Sequence, residues 1–160
     1  MKLKFKLLAV LVGAAVALPS LAEVTYRKDI APLIKKRCIE CHFPENGSVT
    51  LQEYDLDIEK YSKKDKVGPR LDSYENLTAL IAFPDPGALM RRLDDGSGKA
   101  DKKPGNMYKN LGDTDAERAD NLKLFKAWLG EGGWNLNRWV PKDGVPAITK
   151  EQLDKLILAY

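Results

Sequence analysis

Apolar residues recur along this chain mainly at the three- and four-residue spacing of a helix that buries one face. The first such series comprises Ile30, Leu33, Ile34 and Cys38. It predicts a helix over residues 26–37, and we expect Asp29 to cap its N-terminus. Pro32 falls in the first turn, where its missing N–H needs no partner. The apolar stripe of this helix leads directly into Cys38.

The same spacing predicts further helices in the second half of the chain. Residues 74–82 and 88–93 each fit a short helix. A longer helix over residues 114–129 opens with a capping box, in which Thr114 and Glu117 each accept the other's backbone N–H. Its predicted buried positions are Ala119, Leu122, Phe125, Trp128 and Leu129.

The last helix is expected near the C-terminus, where Thr149 and Gln152 form a second capping box. Its predicted inward positions are Leu153, Leu156 and Ile157. Residues 43–66 are polar and predict a long surface loop with at most a short helical turn. No segment shows the alternation of a β-strand, so the predicted fold class is all-α.

The N-terminus has the features of a secretory signal peptide. Three lysines precede a charge-free apolar run of 12 residues, and small residues follow it up to Ala22. We expect cleavage after Ala22 and a periplasmic mature protein. The run is well short of the roughly 20 apolar residues that span a bilayer, so no membrane insertion is expected.

Removal of residues 1–22 changes the charge of the protein. The full chain of 160 residues has 26 lysines and arginines against 23 acids, and three of the lysines lie in the signal peptide. The remaining 138 residues carry 23 basic and 23 acidic side chains. A balanced charge argues against nucleic-acid binding, and this length suits one domain.

The candidate chemistry lies in Cys38-Ile39-Glu40-Cys41-His42, which holds both cysteines and the single histidine of the chain. C-x-x-C-H is the attachment motif of c-type haem. We expect Cys38 and Cys41 to form thioethers with one covalent haem c, and His42 to be the proximal ligand of its iron. The alternatives are a dithiol redox pair, a zinc site completed by a carboxylate, and a small-loop disulfide.

The second axial ligand is expected to be a methionine, because no second histidine exists and a thioether suits haem iron. Met1 leaves with the signal peptide, so Met90 and Met107 are the candidates. Met90 has the helical spacing of a core residue, whereas Met107 follows a Pro-Gly-Asn turn in an irregular loop. Met107 is therefore the predicted distal ligand. Lys103, Lys109 or a five-coordinate iron are the remaining alternatives.

The helix, the C-x-x-C-H motif, the Gly68-Pro69-Arg70-Leu71 turn, the loop methionine and the last long helix together resemble a class I-type monohaem cytochrome c. More closely, the chain resembles the small periplasmic PccH-type cytochromes of metal-reducing, electrode-respiring bacteria. The resemblance implies a cytochrome domain over residues 23–133 and a C-terminal extension over residues 134–160 packed on it. It also implies that the Pro69 carbonyl accepts a hydrogen bond from His42, and that Ile30 and Ile34 meet Phe125 and Trp128.

The expected function is transfer of single electrons between larger redox partners, such as multihaem cytochromes or membrane oxidoreductases, by a monomeric protein that is not an enzyme. Basic clusters at residues 35–37, 63–66, 91–92 and 102–103 form either a docking rim for an acidic partner or ordinary solvated surface. The rival function is a haem enzyme or a sensor of gas or peroxide, in which the sixth ligand is labile.

Overall fold

The computed structural model describes residues 23–83, 85–136, 144 and 146–160, and this part of the chain is helical without a β-strand. The all-α prediction is confirmed. The predicted signal peptide, residues 1–22, lies outside the described residues. In the described ranges no helix combines the length and the apolar character needed to cross a bilayer. The α-helices are α1 (Ala31–His42), α2 (Leu51–Leu56), α3 (Tyr74–Ala79), α4 (Ala88–Leu93), α5 (Asp115–Leu129) and α6 (Lys150–Leu153).

The first helical segment differs from its prediction at both ends. A π-helical turn over Tyr26–Ile30 precedes α1 and is capped by Thr25, whose hydroxyl accepts the Lys28 N–H at 3.3 Å. Asp29 is therefore not the N-cap. Its carboxylate instead reaches back to the Thr25 N–H at 2.9 Å, so it completes the cap from inside the turn. At the other end, α1 continues past Arg37 and includes the whole C-x-x-C-H motif.

The segment predicted as a long loop contains more helix than expected. Within residues 43–66 lie α2 and a π-helical turn over Lys60–Asp65. Thr50 caps α2 by accepting the Glu53 N–H at 3.3 Å. Tyr61 is buried and stacks on Tyr54 with 5.9 Å between ring centroids. One cap and one buried ring are thus enough to order a segment whose composition is polar.

The core forms where α5 meets the first helical segment. Leu122, Phe125, Trp128 and Leu129 of α5 are buried as predicted. Ile30, Ile34, Phe125 and Trp128 belong to one buried cluster, which is the crossing that the resemblance implied. Ala119, however, is exposed. The first turns of α5 meet α1 through charged side chains, so the apolar contact begins only at Leu122.

The two predicted capping boxes have different outcomes. Thr114 accepts the Glu117 N–H at 3.1 Å, but Glu117 accepts the N–H of Asp113, at 3.0 Å, rather than that of Thr114. The box at Thr149 and Gln152 is complete. Even so, Leu153 and Ile157 are about half exposed, against their prediction, and Leu156 is partly buried. The helix ends at Leu153 because the chain then extends across the end of α5.

This C-terminal tail, residues 157–160, joins both ends of the fold. Its backbone N–H groups at Ile157 and Leu158 donate to the last carbonyls of α5, at 3.1 and 3.0 Å. The Ala159 carbonyl accepts the N–H of Tyr26 at 2.8 Å and the indole N–H of Trp128 at 2.9 Å. The tail therefore supplies hydrogen-bond partners for the last carbonyls of α5 and for the N–H of Tyr26, which have none within their own helices.

Candidate haem-binding site

The last turn of α1 carries the three residues of the C-x-x-C-H motif that can bind haem. Residues three and four positions apart lie on one face of a helix, so Cys38, Cys41 and His42 point to the same side. Cys38 is partly buried against the core, whereas Cys41 is exposed, and both thiols are free. One thiol is thus anchored on the protein and the other is open to solvent.

Burial controls the protonation of Cys38. Desolvation, followed by the nearby Cys41, raises the pKa of the Cys38 thiol to about 11. The group is therefore a neutral thiol at physiological pH and a poor thiolate nucleophile. This disfavours the dithiol redox alternative, which requires a low-pKa cysteine.

The imidazole of His42 is held in one tautomer. Its Nδ1 lies 2.7 Å from the carbonyl oxygen of Pro69, which is the contact that the resemblance implied. Desolvation lowers the pKa of His42, so the ring is neutral near pH 7. Because a carbonyl can only accept, Nδ1 carries the proton and Nε2 keeps its lone pair. A neutral Nε2 with an oriented ring is what a metal requires of histidine.

Gly68 lies directly against the His42 ring. A methyl group at this position would overlap the imidazole, with Nδ1 only 2.7 Å away. The Gly68 N–H also donates to the Cys41 carbonyl at 2.7 Å, and the Leu71 N–H donates to the His42 carbonyl at 2.9 Å. The 68–71 turn therefore satisfies the end of α1 and orients its last side chain at the same time.

Two polar residues that the sequence reasoning missed complete this end of α1. The Asn46 side chain donates to the Ile39 carbonyl at 3.0 Å. The hydroxyl of Ser48 is buried and bonds the carbonyls of Gly68 and Cys41. Both residues lie in the polar segment 43–66, for which the sequence predicts only a surface loop. Their distance from the motif gave no sign that their side chains return to the helix.

Met107 is positioned by the C-terminal end of α4. Its backbone N–H donates to the Arg92 carbonyl at 2.9 Å. Two residues earlier, Gly105 packs so closely on the carbonyls of Arg91 and Arg92 that a side chain would collide with them. The Met107 side chain is partly buried, and its sulfur accepts a weak hydrogen bond from Asn110 at 3.6 Å. The turn that follows, Tyr108–Leu111, contacts α1.

Met90 has a different environment. It lies in α4 and is completely buried in the apolar cluster, with 0 % of its surface exposed. A thioether so enclosed acts as a core side chain. The partly exposed sulfur of Met107, on a loop held by backbone hydrogen bonds, remains the predicted ligand.

Several of the basic residues form ion pairs within the protein. Arg37 pairs with Asp113 and Glu117, and Arg91 pairs with Asp85. The Asp113 N–H, followed by the Arg37 guanidinium, lowers the pKa of Glu117 to about 2. Arg37 and Arg91 thus stabilise contacts between segments of the fold. This favours the reading of their clusters as structure rather than as a free docking rim.

The donors present fit a c-type haem. Two thiols lie on one helix face, the imidazole Nε2 has a free lone pair, and a thioether is available on a separate loop. Because Gly68 has no side chain, it leaves space for the His42 ring that a larger residue would occupy. When bound, haem c supplies an iron that gains and loses one electron.

Comparisons with known proteins agree with this site. The profile of the PccH cytochrome c family matches residues 25–160. The structure of the monohaem cytochrome PccH from Geobacter sulfurreducens is similar, with 47% sequence identity and a TM-score of 0.71. The match covers 86% of this chain and 99% of that one. No curated protein matches the chain.

Proposed function

The chain belongs to the PccH cytochrome c family and carries one covalently bound haem c, and on that premise we propose that it is an exported carrier of single electrons. Cys38 and Cys41 hold the haem, His42 binds the iron from the proximal side, and Met107 binds it from the distal side. The mature chain begins at Glu23 in the periplasm. Its partners are larger redox proteins, such as multihaem cytochromes or membrane oxidoreductases.

One observation carries the proposal: the imidazole of His42 is oriented so that its Nε2 can bind iron. The Pro69 carbonyl fixes the Nδ1 proton, and the missing side chain of Gly68 leaves room for the ring. A hydrogen-bonded imidazole is also a stronger donor, which stabilises ferric iron and lowers the reduction potential. A ligand that moves little between oxidation states suits electron transfer.

The loop of Met107 supports the same function. A carrier needs both axial positions filled, because an open position invites exogenous ligands and chemistry at the iron. The backbone hydrogen bonds of Gly105 and Met107 to the end of α4 hold the loop that carries the thioether. The rival function, an enzyme or sensor, would require this thioether to leave the iron readily.

Met107→Ala tests the ligation and separates the two functions. In protein matured with haem, the wild type should show the weak far-red band of a methionine–ferric iron bond, and the variant should lose it and bind carbon monoxide avidly when reduced. Met90→Ala is the matched control and should keep the band. A band that persists in Met107→Ala would refute this ligand, and avid carbon monoxide binding by the wild type would favour the sensor. The intact mass should equal residues 23–160 plus one haem.

A further inference from the structure

The buried carboxylate of Asp94 stands at the base of the loop that carries Met107. Asp94 directly follows α4 and is 1% exposed. One carboxylate oxygen accepts the Gly96 N–H at 2.6 Å, and the main-chain carbonyl accepts the Gly105 N–H at 2.8 Å. Its side chain thus holds the first residues of the loop and its backbone holds the last. This single residue closes the loop two positions before Met107.

The loop itself is short of apolar packing. Gly96 has a φ of +81°, and a side chain there would meet the Lys102 carbonyl at 2.5 Å. The lysines at positions 99 and 102 bond the carbonyls of Lys103 and Ser97 within the loop. Most residues between Ser97 and Pro104 are exposed. Polar contacts at the base, rather than a core, therefore decide whether the loop stays in place.

The second carboxylate oxygen of Asp94 connects this loop to the C-terminal extension. It accepts the indole N–H of Trp134 at 3.2 Å. Trp134 is itself buried and lies in the 3₁₀ turn Gly133–Asn135, which follows α5 after the short 130–132 segment. The ammonium of Lys126 lies 5.4 Å from the centre of its ring. The position of Asp94 is thus fixed from the end of the longest helix in the described chain.

We infer that Asp94 is a positioning residue for the axial thioether, and that Trp134 holds Asp94 in that role. The inference rests on the proposed ligation by Met107. Neither residue touches the iron. Their hydrogen bonds set the population of molecules in which the loop has opened and Met107 has left the metal.

The population of open loops can be measured with an exogenous ligand. Cyanide binds ferric haem when the methionine leaves, so its apparent affinity is proportional to the open fraction. Asp94→Asn places an amide N–H₂ opposite either Gly96 or Trp134, both of which are donors. We expect cyanide to bind this variant at least about tenfold more tightly than the wild type, because the open fraction rises by that factor. Trp134→Phe removes one hydrogen bond and should tighten binding about threefold.

Asp95→Asn is the matched control. It makes the same chemical change one residue along, in a side chain that bonds Ser97 and interacts electrostatically with Lys126. Its cyanide affinity should stay within about twofold of the wild type. The effects of Asp94→Asn and Trp134→Phe should be less than additive in the double variant, because both changes break the hydrogen bond between the two residues. Amide hydrogen exchange over residues 96–107 of the haem-loaded protein should also be faster in Asp94→Asn than in Asp95→Asn.

Each outcome decides one question. If Asp94→Asn melts at a lower temperature but binds cyanide like the wild type, Asp94 stabilises the fold and does not position Met107. If Asp94→Asn does not yield haem protein, unchanged cyanide affinity in Trp134→Phe refutes the inference instead. Met107→Ala distinguishes the proposed function from this inference. If it keeps the far-red band, the ligation is wrong. If it loses the band and Asp94→Asn does not change the affinity, only the positioning role is wrong.

Discussion

At the scale of single residues, the site depends on which nitrogen of His42 faces the metal. The ring is neutral because burial lowers its pKa, and the Pro69 carbonyl selects the Nδ1–H tautomer. Gly68 has no side chain that would tilt the ring away from this carbonyl. The small size of Gly68, rather than its backbone freedom, is what this position requires.

Gly68→Ala should therefore change the haem as well as the stability of the protein. The added methyl overlaps the His42 ring, and such overpacking typically lowers the free energy of unfolding by about 1–3 kcal/mol. Displacement of the ring weakens its hydrogen bond to Pro69, makes the imidazole a poorer donor and should raise the midpoint potential. Thermal unfolding and voltammetry of the haem-loaded protein measure the two effects.

Gly47→Ala is the control, because glycine is required there for its backbone conformation and not for its small size. Gly47 has a φ of +86°, and a side chain there would meet nothing within 4 Å. The substitution should cost about 1 kcal/mol of stability through the backbone alone. Its midpoint potential should match the wild type. If Gly68→Ala also left the potential unchanged, contact with the ring would not be the reason for this glycine.

At the scale of elements, α1 and α5 are joined by charge at one end and by apolar packing at the other. Arg37 stands directly before Cys38 and pairs with Glu117 in the first turn of α5. Lys36 also reaches Glu117, at 3.2 Å. The pairs fix the rotation of α1 near the motif, while Ile34 and Phe125 form the crossing itself.

Glu117→Gln should show that this link depends on pH. The folded pKa of Glu117, about 2, is below its ordinary value, so the unfolded chain binds the proton more readily. The stabilising contribution is therefore fully present above about pH 4.5 and is lost as the pH falls towards 2. In thermal melts of the haem protein, the variant should unfold at a lower temperature than the wild type at pH 6–7, and the difference should vanish near about pH 2.

Asp115→Asn provides the comparison for this experiment. Asp115 lies in the same first turn of α5 and pairs with Arg118, but its side chain is 96% exposed. An exposed pair of this kind contributes about 0–1 kcal/mol. At pH 6–7, Asp115→Asn should lower the melting temperature less than Glu117→Gln does. Equal differences would mean that Glu117 acts through the helix dipole rather than through α1.

Helices with a repeating buried face were predictable from the sequence. Segments ordered by a single cap, or by a side chain that bonds a distant part of the chain, were less predictable. The long stripe of α5 and the motif at the end of α1 follow from spacing and residue type. The order in residues 43–66 depends on Thr50 as a cap and on Tyr61 meeting Tyr54. Ser48 and Asn46 bond α1 from outside it, and such long-range contacts leave no periodic signal.

The same limit applies to the site. The thiols and the histidine were recognisable because their spacing is dictated by one helix. The supports of Met107 come from α4, from Asp94 and from Trp134, which are far apart in sequence. Asn121, which bonds the Leu111 carbonyl at 2.5 Å, likewise fixes the turn after Met107 from α5. Only the folded chain brings these groups together.

At the scale of the whole molecule, the tail joins the C-terminus to the Tyr26–Ile30 turn around an aromatic cluster. Tyr26 stacks on Tyr160 with 5.8 Å between ring centroids, and Tyr74 meets both Tyr160 and Trp128 edge to face. The guanidinium of Arg27 lies 4.3 Å from the centre of the Tyr160 ring. Residues 157–160 therefore cover the buried end of α5 and cap the first turn of the chain.

Removal of residues 157–160 should lower stability without changing the iron ligands. Several hydrogen bonds at roughly 1 kcal/mol each are lost, and the ordering entropy of four residues partly offsets them, so we expect about 3 kcal/mol less stability. For a domain of this size that corresponds to a melting temperature lower by about 10 °C. The far-red band and the cyanide affinity at pH 7 should persist, because the described bonds of the Met107 loop do not involve the tail.

Leu153→Ala is the control within the same extension. Its side chain is 49% exposed, and its loss should change the free energy of unfolding by less than about 1 kcal/mol. Calorimetry and the absorption spectrum of the same samples separate stability from ligation. If the truncated protein melted at the same temperature as the wild type, the tail would not stabilise the fold. A truncated protein that loses the far-red band would show that the extension reaches Met107 through the tail as well as through Trp134 and Asp94.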